Sequence, residues 1–161
     1  MATGVYDKCV KDVMSRDVVA INAKDTVHEA LEVMSENKVS ALPVIDRNGR
    51  CIGILSTSDI MEVTRDVDAG LNEMEHAGQL FWGDFIEKLS GHAGHQSVME
   101  LMSESVVSAT PDTPLSEAAR KMLHDHIHRL PVIDDNEQVI GIVSTTDVLT
   151  AFVECAPKAK R

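Results

Sequence analysis

Two short clusters of hydroxyl and carboxylate side chains are the residues of this chain best suited to hold a ligand. Each cluster has three hydroxyl residues followed by an aspartate: Ser56-Thr57-Ser58-Asp59 and Ser144-Thr145-Thr146-Asp147. Hydroxyls and free backbone N–H groups at the start of a helix suit a phosphate group. An aspartate at the same place can accept hydrogen bonds from two ligand hydroxyls. The pattern therefore predicts two related sites for a small phosphorylated ligand.

Both clusters belong to an internal repeat. Residues 13–60 align with residues 101–148 in one register without a gap. The densest agreement is between two identical runs: Leu42-Pro43-Val44-Ile45-Asp46 and Leu130-Pro131-Val132-Ile133-Asp134. Chance does not supply so long a match in one register, so the chain contains a duplicated unit.

Each copy of the repeat predicts a β-α-β-β-α unit. Its strands are short β-branched or apolar runs: residues 18–21, 42–45 and 51–55 in the first copy and residues 106–109, 130–133 and 139–143 in the second. Asn48-Gly49 is a strong hairpin-turn signal between the last two strands of the first copy. The closing helices are expected to begin near Asp59 and Asp147.

The first helix of each copy is predicted from its apolar stripe. The predicted core positions are Val27, Ala30, Leu31 and Met34 in the first copy and Leu115, Ala118, Ala119, Met122 and Leu123 in the second. The first of these helices should start after Asp25 or Thr26. The second should start near Pro114, because proline suits the first turn of a helix.

A single repeat of about 50 residues buries too little surface to be stable alone. We therefore predict an α/β fold of the α+β type, with two tandem units packed as one pseudo-two-fold module. The predicted divisions are a first repeat, a helical linker, a second repeat and a tail: residues 1–65, 66–96, 97–155 and 156–161.

Composition excludes several classes of function. The net charge of −11 and the aromatic content of 3% disfavour binding to nucleic acids or anionic membranes. No apolar run is long enough to span a membrane, and the N-terminus has no signal-peptide pattern. Cys9, Cys51 and Cys155 have no metal-type spacing, which favours reduced thiols in a cytoplasmic protein.

The segment of residues 66–96 has no counterpart in either repeat. Its apolar residues recur at helical spacing, and Phe81, Trp82 and Phe85 lie within it. We predict a helical linker on the flank of the module. The alternative is an exposed apolar helix that mediates dimerisation.

The repeated motifs resemble a CBS-domain pair, the module named for cystathionine β-synthase and also called a Bateman module. The resemblance rests on the two Leu-Pro-Val-Ile-Asp runs and on the two segments that follow them: Gly53-Ile54-Leu55-Ser56-Thr57-Ser58-Asp59 and Gly141-Ile142-Val143-Ser144-Thr145-Thr146-Asp147. It implies a stand-alone regulatory pair without catalytic residues or a resident cofactor. It also implies an adenosine-containing ligand (AMP, ADP, ATP or S-adenosylmethionine) between the copies, a homodimer and an unidentified regulated protein.

This resemblance gives roles to the residues of both copies. Asp59 and Asp147 are expected to accept the ribose hydroxyls, and the phosphate is assigned to the hydroxyls of Ser56, Ser58, Ser144 and Thr146. The apolar wall for adenine is assigned to the first strands: Val19, Ala20 and Ile21, and Val107, Ser108 and Ala109. The alternative is that both aspartates serve only as helix caps and bind no ligand.

The two copies differ at the position that should determine whether a phosphate group is contacted. His128-Arg129 precede the Leu-Pro run of the second copy, whereas Ser40-Ala41 precede that of the first. In nucleotide-binding members of the resembled family, a basic pair at this place often contacts phosphate, and arginine offers a bidentate fork. We therefore expect one competent site and one weak site, and which aspartate works with Arg129 stays open. The alternative role for Arg129 is a surface ion pair.

Other functions have weaker support. His124, His126 and His128 alternate, which resembles a metal-responsive cluster, but we predict no metal site because His124 falls in a helical turn. No ordered catalytic triad or phosphate-binding loop is present, so we do not predict an enzyme. The remaining alternative is a ligand-independent interaction module that dimerises through the linker.

Overall fold

The chain folds into two units that do not coincide with its sequence repeats. The computed structural model describes residues 4–64, 87, 91 and 93–156. We call Val19–Val106 the first-repeat unit, and Met1–Val18 together with Val107–Arg161 the second-repeat unit. Each unit thus contains the body of one repeat and the leading segment of the other.

Among its described residues, the first-repeat unit contains a three-stranded sheet and the helices α1 (Val27–Asn37), α2 (Thr57–Thr64) and α3 (Val98–Leu101). In chain order these elements are β1 (Ile21–Asn22), α1, β2 (Ala41–Ile45), β3 (Cys51–Ser56), α2 and α3. The strand order is β1-β2-β3, in which β1 runs parallel and β3 antiparallel to the central strand. This arrangement places the end of β3 directly before the first hydroxyl–carboxylate cluster.

The second-repeat unit repeats this plan with a shorter sheet. Two 3-10 turns, Val5–Asp7 and Val10–Asp12, are followed by α4 (Leu115–His124), β4 (Arg129–Ile133), β5 (Val139–Ser144) and α5 (Thr145–Glu154). The strands β4 and β5 are antiparallel, and Ala109 adds a single parallel bridge to Val132. The mixed helix and strand content that the sequence predicted is confirmed.

The predicted first strands are mostly wrong. In the first-repeat unit only Ile21 of residues 18–21 lies in a strand, and in the second-repeat unit only Ala109 pairs with the sheet. The residues directly before them belong to no strand or bridge. Propensity alone cannot form a strand when no neighbour accepts its hydrogen bonds.

The predicted start and core face of α1 are confirmed. Thr26 caps the helix, because its hydroxyl accepts from the Glu29 N–H and the Glu29 carboxylate accepts from the Thr26 N–H. These hydrogen bonds lower the pKa of Glu29 below its ordinary value, with the Thr26 backbone as the main cause. The four predicted core residues, Val27, Ala30, Leu31 and Met34, are all buried.

The predicted core face of α4 is wrong at one position. Leu115, Ala118 and Met122 are buried, but Leu123 is 76% exposed. The buried residues follow the three- and four-residue spacing of one helix face, and Leu123 lies one residue beyond it, about 100° around the helix. Ala119 is half-buried at the edge of the same face.

Glycine is required where each sheet meets the leading segment of the other repeat. Ser15 exchanges two backbone hydrogen bonds with Ile142, and Ser103 exchanges two with Ile54. A Cβ atom at Gly141 would lie 2.6 Å from the Met14 sulfur, and one at Gly53 would lie 2.5 Å from the Met102 sulfur. These close approaches, rather than phosphate binding, account for the two matched glycines.

Each unit has its own buried core. The core of the first-repeat unit contains the α1 stripe with Leu42, Val44, Leu55 and Ile60. That of the second-repeat unit adds Val10 and Met14 from the leading segment to Leu130, Val132 and Val143. In the described part of the chain, no helix has both the length and the apolar character needed to cross a bilayer.

Candidate functional site

The two hydroxyl–carboxylate clusters have the same geometry. The Asp147 Oδ2 atom accepts from the Ser144 N–H at 2.7 Å and from the Ser144 hydroxyl at 2.7 Å, and the Asp147 N–H donates to the Ser144 Oγ at 3.2 Å. In the first-repeat unit, Ser56 and Asp59 make the same three contacts at 2.7, 2.6 and 3.2 Å. Both aspartates therefore cap their helices with one carboxylate oxygen.

Capping leaves the second carboxylate oxygen of each aspartate available. Within the described residues, neither Asp59 Oδ1 nor Asp147 Oδ1 accepts a hydrogen bond, and both side chains are half-buried. A carboxylate oxygen has room for two donors. The cap and the predicted ribose role therefore fit on the same side chain.

The cap restricts which groups can donate to a phosphate. The protons of the Ser56 and Ser144 hydroxyls point to the capping carboxylates, and the N–H groups of Thr57 and Thr145 donate to the Ser40 and His128 carbonyls. Ser58 and Thr146 are exposed at the first turn of each helix. Of the four hydroxyls assigned to phosphate, these last two are the free donors.

The basic pair of the second repeat lies beside the second cluster. Arg129 and Ser144 are directly opposite partners in the β4–β5 ladder, so the guanidinium stem begins next to the capping serine. Both His128 and Arg129 are exposed. Arg129 forms no ion pair with any described residue.

The corresponding place in the first-repeat unit carries no charge. Ala41 is the ladder partner of Ser56, and Ser40 precedes it. The contrast is between two identical caps, one with an adjacent guanidinium and one with an adjacent methyl group. The difference in charge between the copies is thus located at the cluster itself.

The predicted adenine walls lie at the sheet edges. In the first-repeat unit Ile21 is buried against Val44, and Val19 packs against the core. In the second-repeat unit, Val107 packs against the core and Ala109 is buried. Ala20 and Ser108 are half-buried between their neighbours.

One charged residue that contacts the predicted adenine wall escaped the sequence analysis. The Lys121 ammonium, on α4, donates to the Ser108 carbonyl at 3.1 Å, within the predicted adenine wall. The same position in the first repeat is Val33, which packs against the core of its unit. The unmatched charge within an aligned helix was the signal that could have identified it.

The histidine cluster is not assembled in the described part of the chain. There, no three histidine, cysteine, aspartate or glutamate side chains lie close enough together to hold a metal ion. His124 Nδ1 contacts the adjacent Asp125 carboxylate at 3.0 Å, and His126 has a left-handed backbone with φ of 54°. The linker residues Phe81, Trp82 and Phe85 lie outside the described residues, so their role stays a prediction.

Comparison with known families identifies the repeat. The model of the CBS domain matches residues 10–66 and again residues 98–154. The chain belongs to the CBS domain family. Its two matches cover both halves of the chain, so the predicted pair of CBS repeats is confirmed, and with it the fold class. Pairs of CBS domains are regulatory modules rather than catalytic ones.

Three similar proteins show how far the likeness extends. An uncharacterized protein of Methanocaldococcus jannaschii, MJ1426, is 32% identical over 154 residues, covering 89% of this chain and 90% of that protein. The chloroplastic CBS domain-containing protein CBSX1 of Arabidopsis thaliana is 27% identical over 94% of this chain, which spans 66% of its length. The solved structure of CBSX2 in complex with AMP has 29% identity and a TM-score of 0.69, with 91% of this chain and 96% of that one covered.

Proposed function

We propose that this CBS pair is a regulatory sensor of adenosine-containing nucleotides and that the second-repeat unit is its competent binding surface. AMP, ADP, ATP and S-adenosylmethionine are the candidate ligands. Ligand occupancy is passed on to a regulated protein. The AMP in the CBSX2 structure supports this choice of ligand class.

The observation that carries the proposal is the position of Arg129 beside the Ser144–Asp147 cap. The free Asp147 Oδ1 is an acceptor for ribose hydroxyls, and the exposed Thr146 hydroxyl is a donor for phosphate. Arg129 adds a charged, forked donor one ladder position from the cap. In a protein of net charge −11, such a local cation decides where an anionic ligand can bind.

Calorimetric titration with the four candidate ligands tests the proposal. We expect Asp147→Ala to weaken nucleotide binding by about 10- to 100-fold, since hydrogen bonds to charged groups contribute about 1.5–3 kcal/mol. Asp59→Ala is the matched control, because it removes the same capping box from the unit without the basic pair. We expect it to change the affinity by less than about threefold.

Arg129→Ala tests the phosphate contact separately. We expect it to weaken AMP about tenfold and to leave adenosine, which has no phosphate, almost unchanged. Arg120→Ala makes the same change of charge on the exposed face of α4 and serves as the control. Saturable binding of none of the four ligands to the wild-type protein overturns the proposal, and equal losses in Asp59→Ala and Asp147→Ala overturn the asymmetry.

A second candidate function is homodimerisation, favoured by an exposed apolar stripe on α5. Leu149, Phe152 and Val153 are 64%, 59% and 69% exposed and share one helix face. A second copy of the chain is the occupant that the family resemblance implies. Sedimentation velocity tests it: Phe152→Asp should convert a dimer to a monomer, and an unchanged sedimentation coefficient removes this face from the interface.

A further inference from the structure

Ser108, in the predicted adenine wall of the second-repeat unit, is half-buried. The neighbouring Ala109 turns both of its backbone groups to the sheet: its N–H donates to the Pro131 carbonyl at 3.0 Å, and its carbonyl accepts from the Ile133 N–H at 2.9 Å. Backbone groups of successive residues in an extended chain point to opposite sides. The N–H and the carbonyl of Ser108 therefore point away from β4.

A backbone N–H and carbonyl side by side complement the edge of adenine. The 6-amino group of adenine is a donor and its ring nitrogens are acceptors. A 6-oxopurine such as hypoxanthine presents the opposite pattern, with an acceptor at position 6 and a donor at N1. An unoccupied Ser108 carbonyl would thus select adenine.

The side chain of Lys121 forms a hydrogen bond to that carbonyl. Its ammonium donates to the Ser108 oxygen at 3.1 Å and lies 3.6 Å from the Glu117 carboxylate. An ammonium offers three donors and no acceptor. It takes one of the two lone pairs of the carbonyl oxygen and leaves the other for the 6-amino group of adenine, while its remaining donors suit a 6-oxo group at the same place. The Ser108 N–H still favours adenine, because N1 is an acceptor in adenine and a donor in a 6-oxopurine.

The first-repeat unit provides the internal contrast. Ala20 aligns with Ser108 and Val33 aligns with Lys121. Val33 packs against the core, and no described residue donates to the Ala20 carbonyl. The two walls align in sequence, but a lysine contacts the wall of the second-repeat unit, whereas the aligned residue of the first-repeat unit is a valine.

We propose that Lys121 modulates base selectivity at the second-repeat site, so that the preference for an adenine nucleotide over a 6-oxopurine nucleotide is weaker there than the Ser108 backbone alone would give. This inference rests on the nucleotide-sensing function proposed above. It concerns how strongly that site prefers an adenine nucleotide to a 6-oxopurine nucleotide.

The test compares AMP with inosine 5′-monophosphate, which differs from it in the group at position 6. Calorimetry of the wild-type protein and of Lys121→Val gives the ratio of the two affinities. We expect Lys121→Val to raise the preference for AMP over the inosine nucleotide by about three- to tenfold, the range of one hydrogen bond. Val33→Lys should leave the ratio at the second-repeat site unchanged.

Two further variants keep the test decisive. Lys121→Met retains the apolar stem of the side chain and should act as Lys121→Val does if the valine variant folds poorly. Lys24→Val removes an exposed lysine of the first-repeat unit and should leave the ratio within twofold. A ratio unmoved by Lys121→Val and Lys121→Met, with both nucleotides bound, overturns the role of Lys121 alone. Binding of neither nucleotide by the wild-type protein overturns the nucleotide-sensing function and this inference together.

Discussion

Asp59 and Asp147 cap their helices with hydrogen bonds that match to within 0.1 Å, yet the residues around the two caps have diverged. Ala41 replaces Arg129 beside the capping serine, and Val33 replaces Lys121 beside the adenine wall. The matched features hold the fold together. The unmatched ones differ in charge, so the duplication kept one scaffold and produced two chemically different surfaces.

The two units also differ in how the chain builds them. Val19–Val106 forms the first-repeat unit from one continuous stretch. The second-repeat unit needs residues 4–18, which we call the leading arm, to pack against residues 107–156. Stability of the second unit therefore depends on a segment that the whole first-repeat unit separates from it in sequence, whereas the leading segment in the first unit, with the buried Val98, belongs to the same continuous stretch.

Deletion of residues 1–16 should produce the largest effect and tests this difference directly. It removes the Val10 and Met14 side chains, both buried in the second core. Loss of a large buried side chain costs about 2–5 kcal/mol, which together approaches the whole stability of a small domain. Hydrogen exchange should show lost protection for amides 107–156 and retained protection for amides 27–56. Equal protection in both units would contradict the dependence on the arm.

A double-mutant cycle tests the pairing of glycine with methionine. Gly141→Ala places a Cβ against the Met14 sulfur and the Ser15 carbonyl and should destabilise the protein by about 1–3 kcal/mol. Met14→Ala should recover part of this loss, with a coupling of about 1 kcal/mol. Met102→Ala is the control, because it contacts Gly53 instead. Rescue by Met102→Ala in chemical denaturation would show that the leading segments are paired differently.

The hairpin turns offer a smaller test of the same comparison. Gly49 has a φ of 80°, and the aligned Glu137 adopts a φ of 63° despite its Cβ. Glu137→Gly should stabilise the protein by about 0.5–1 kcal/mol, whereas Gly49→Ala should destabilise it by a similar amount. Thermal unfolding measures both changes in stability. If the two substitutions changed the stability in the same direction, the positive φ at these positions would not be the cause.

The smallest expected effect is on the titration of Asp46. The Arg50 N–H, the main cause, and the Asn48 N–H hold the pKa of this carboxyl below its ordinary value. A lowered folded-state pKa contributes stability that is present above the unfolded-state pKa and is lost as pH falls through the folded-state value. NMR titration should give a lower pKa in the folded protein than in urea. Asp46→Asn should make acid unfolding less steep, and a pKa equal in both states would contradict the turn contacts.

Local features were predictable from the sequence because local forces decide them. Thr26 with Glu29 encodes a capping box, and the two Leu-Pro-Val-Ile runs encode central strands. The predicted strand over residues 18–20 was wrong because a strand needs a partner that the local pattern does not reveal. The prediction that Leu123 lies in the core was wrong because the sequence does not show whether one extra apolar residue beside the stripe belongs to the buried face of the helix.

The exchange of leading segments could not be predicted, for a reason specific to duplicated sequences. Met14-Ser15 and Met102-Ser103 are identical, and so are the Gly-Ile pairs at Gly53 and Gly141. Each leading segment therefore fits either sheet equally well by sequence, and only the tertiary connection selects one. In the same way, Lys121 was visible as a surface cation, but the carbonyl it reaches depends on how α4 packs.

The dependence of the second-repeat unit on the leading arm has a consequence during protein synthesis. The arm leaves the ribosome before its packing partners, residues 107–156, are translated. The continuous first-repeat unit can close while the arm waits with Val10 and Met14 exposed to water. The nascent chain therefore carries an apolar segment until residues 107–156 have emerged, and on crowded polysomes that segment is open to capture by a chaperone or by a neighbouring copy.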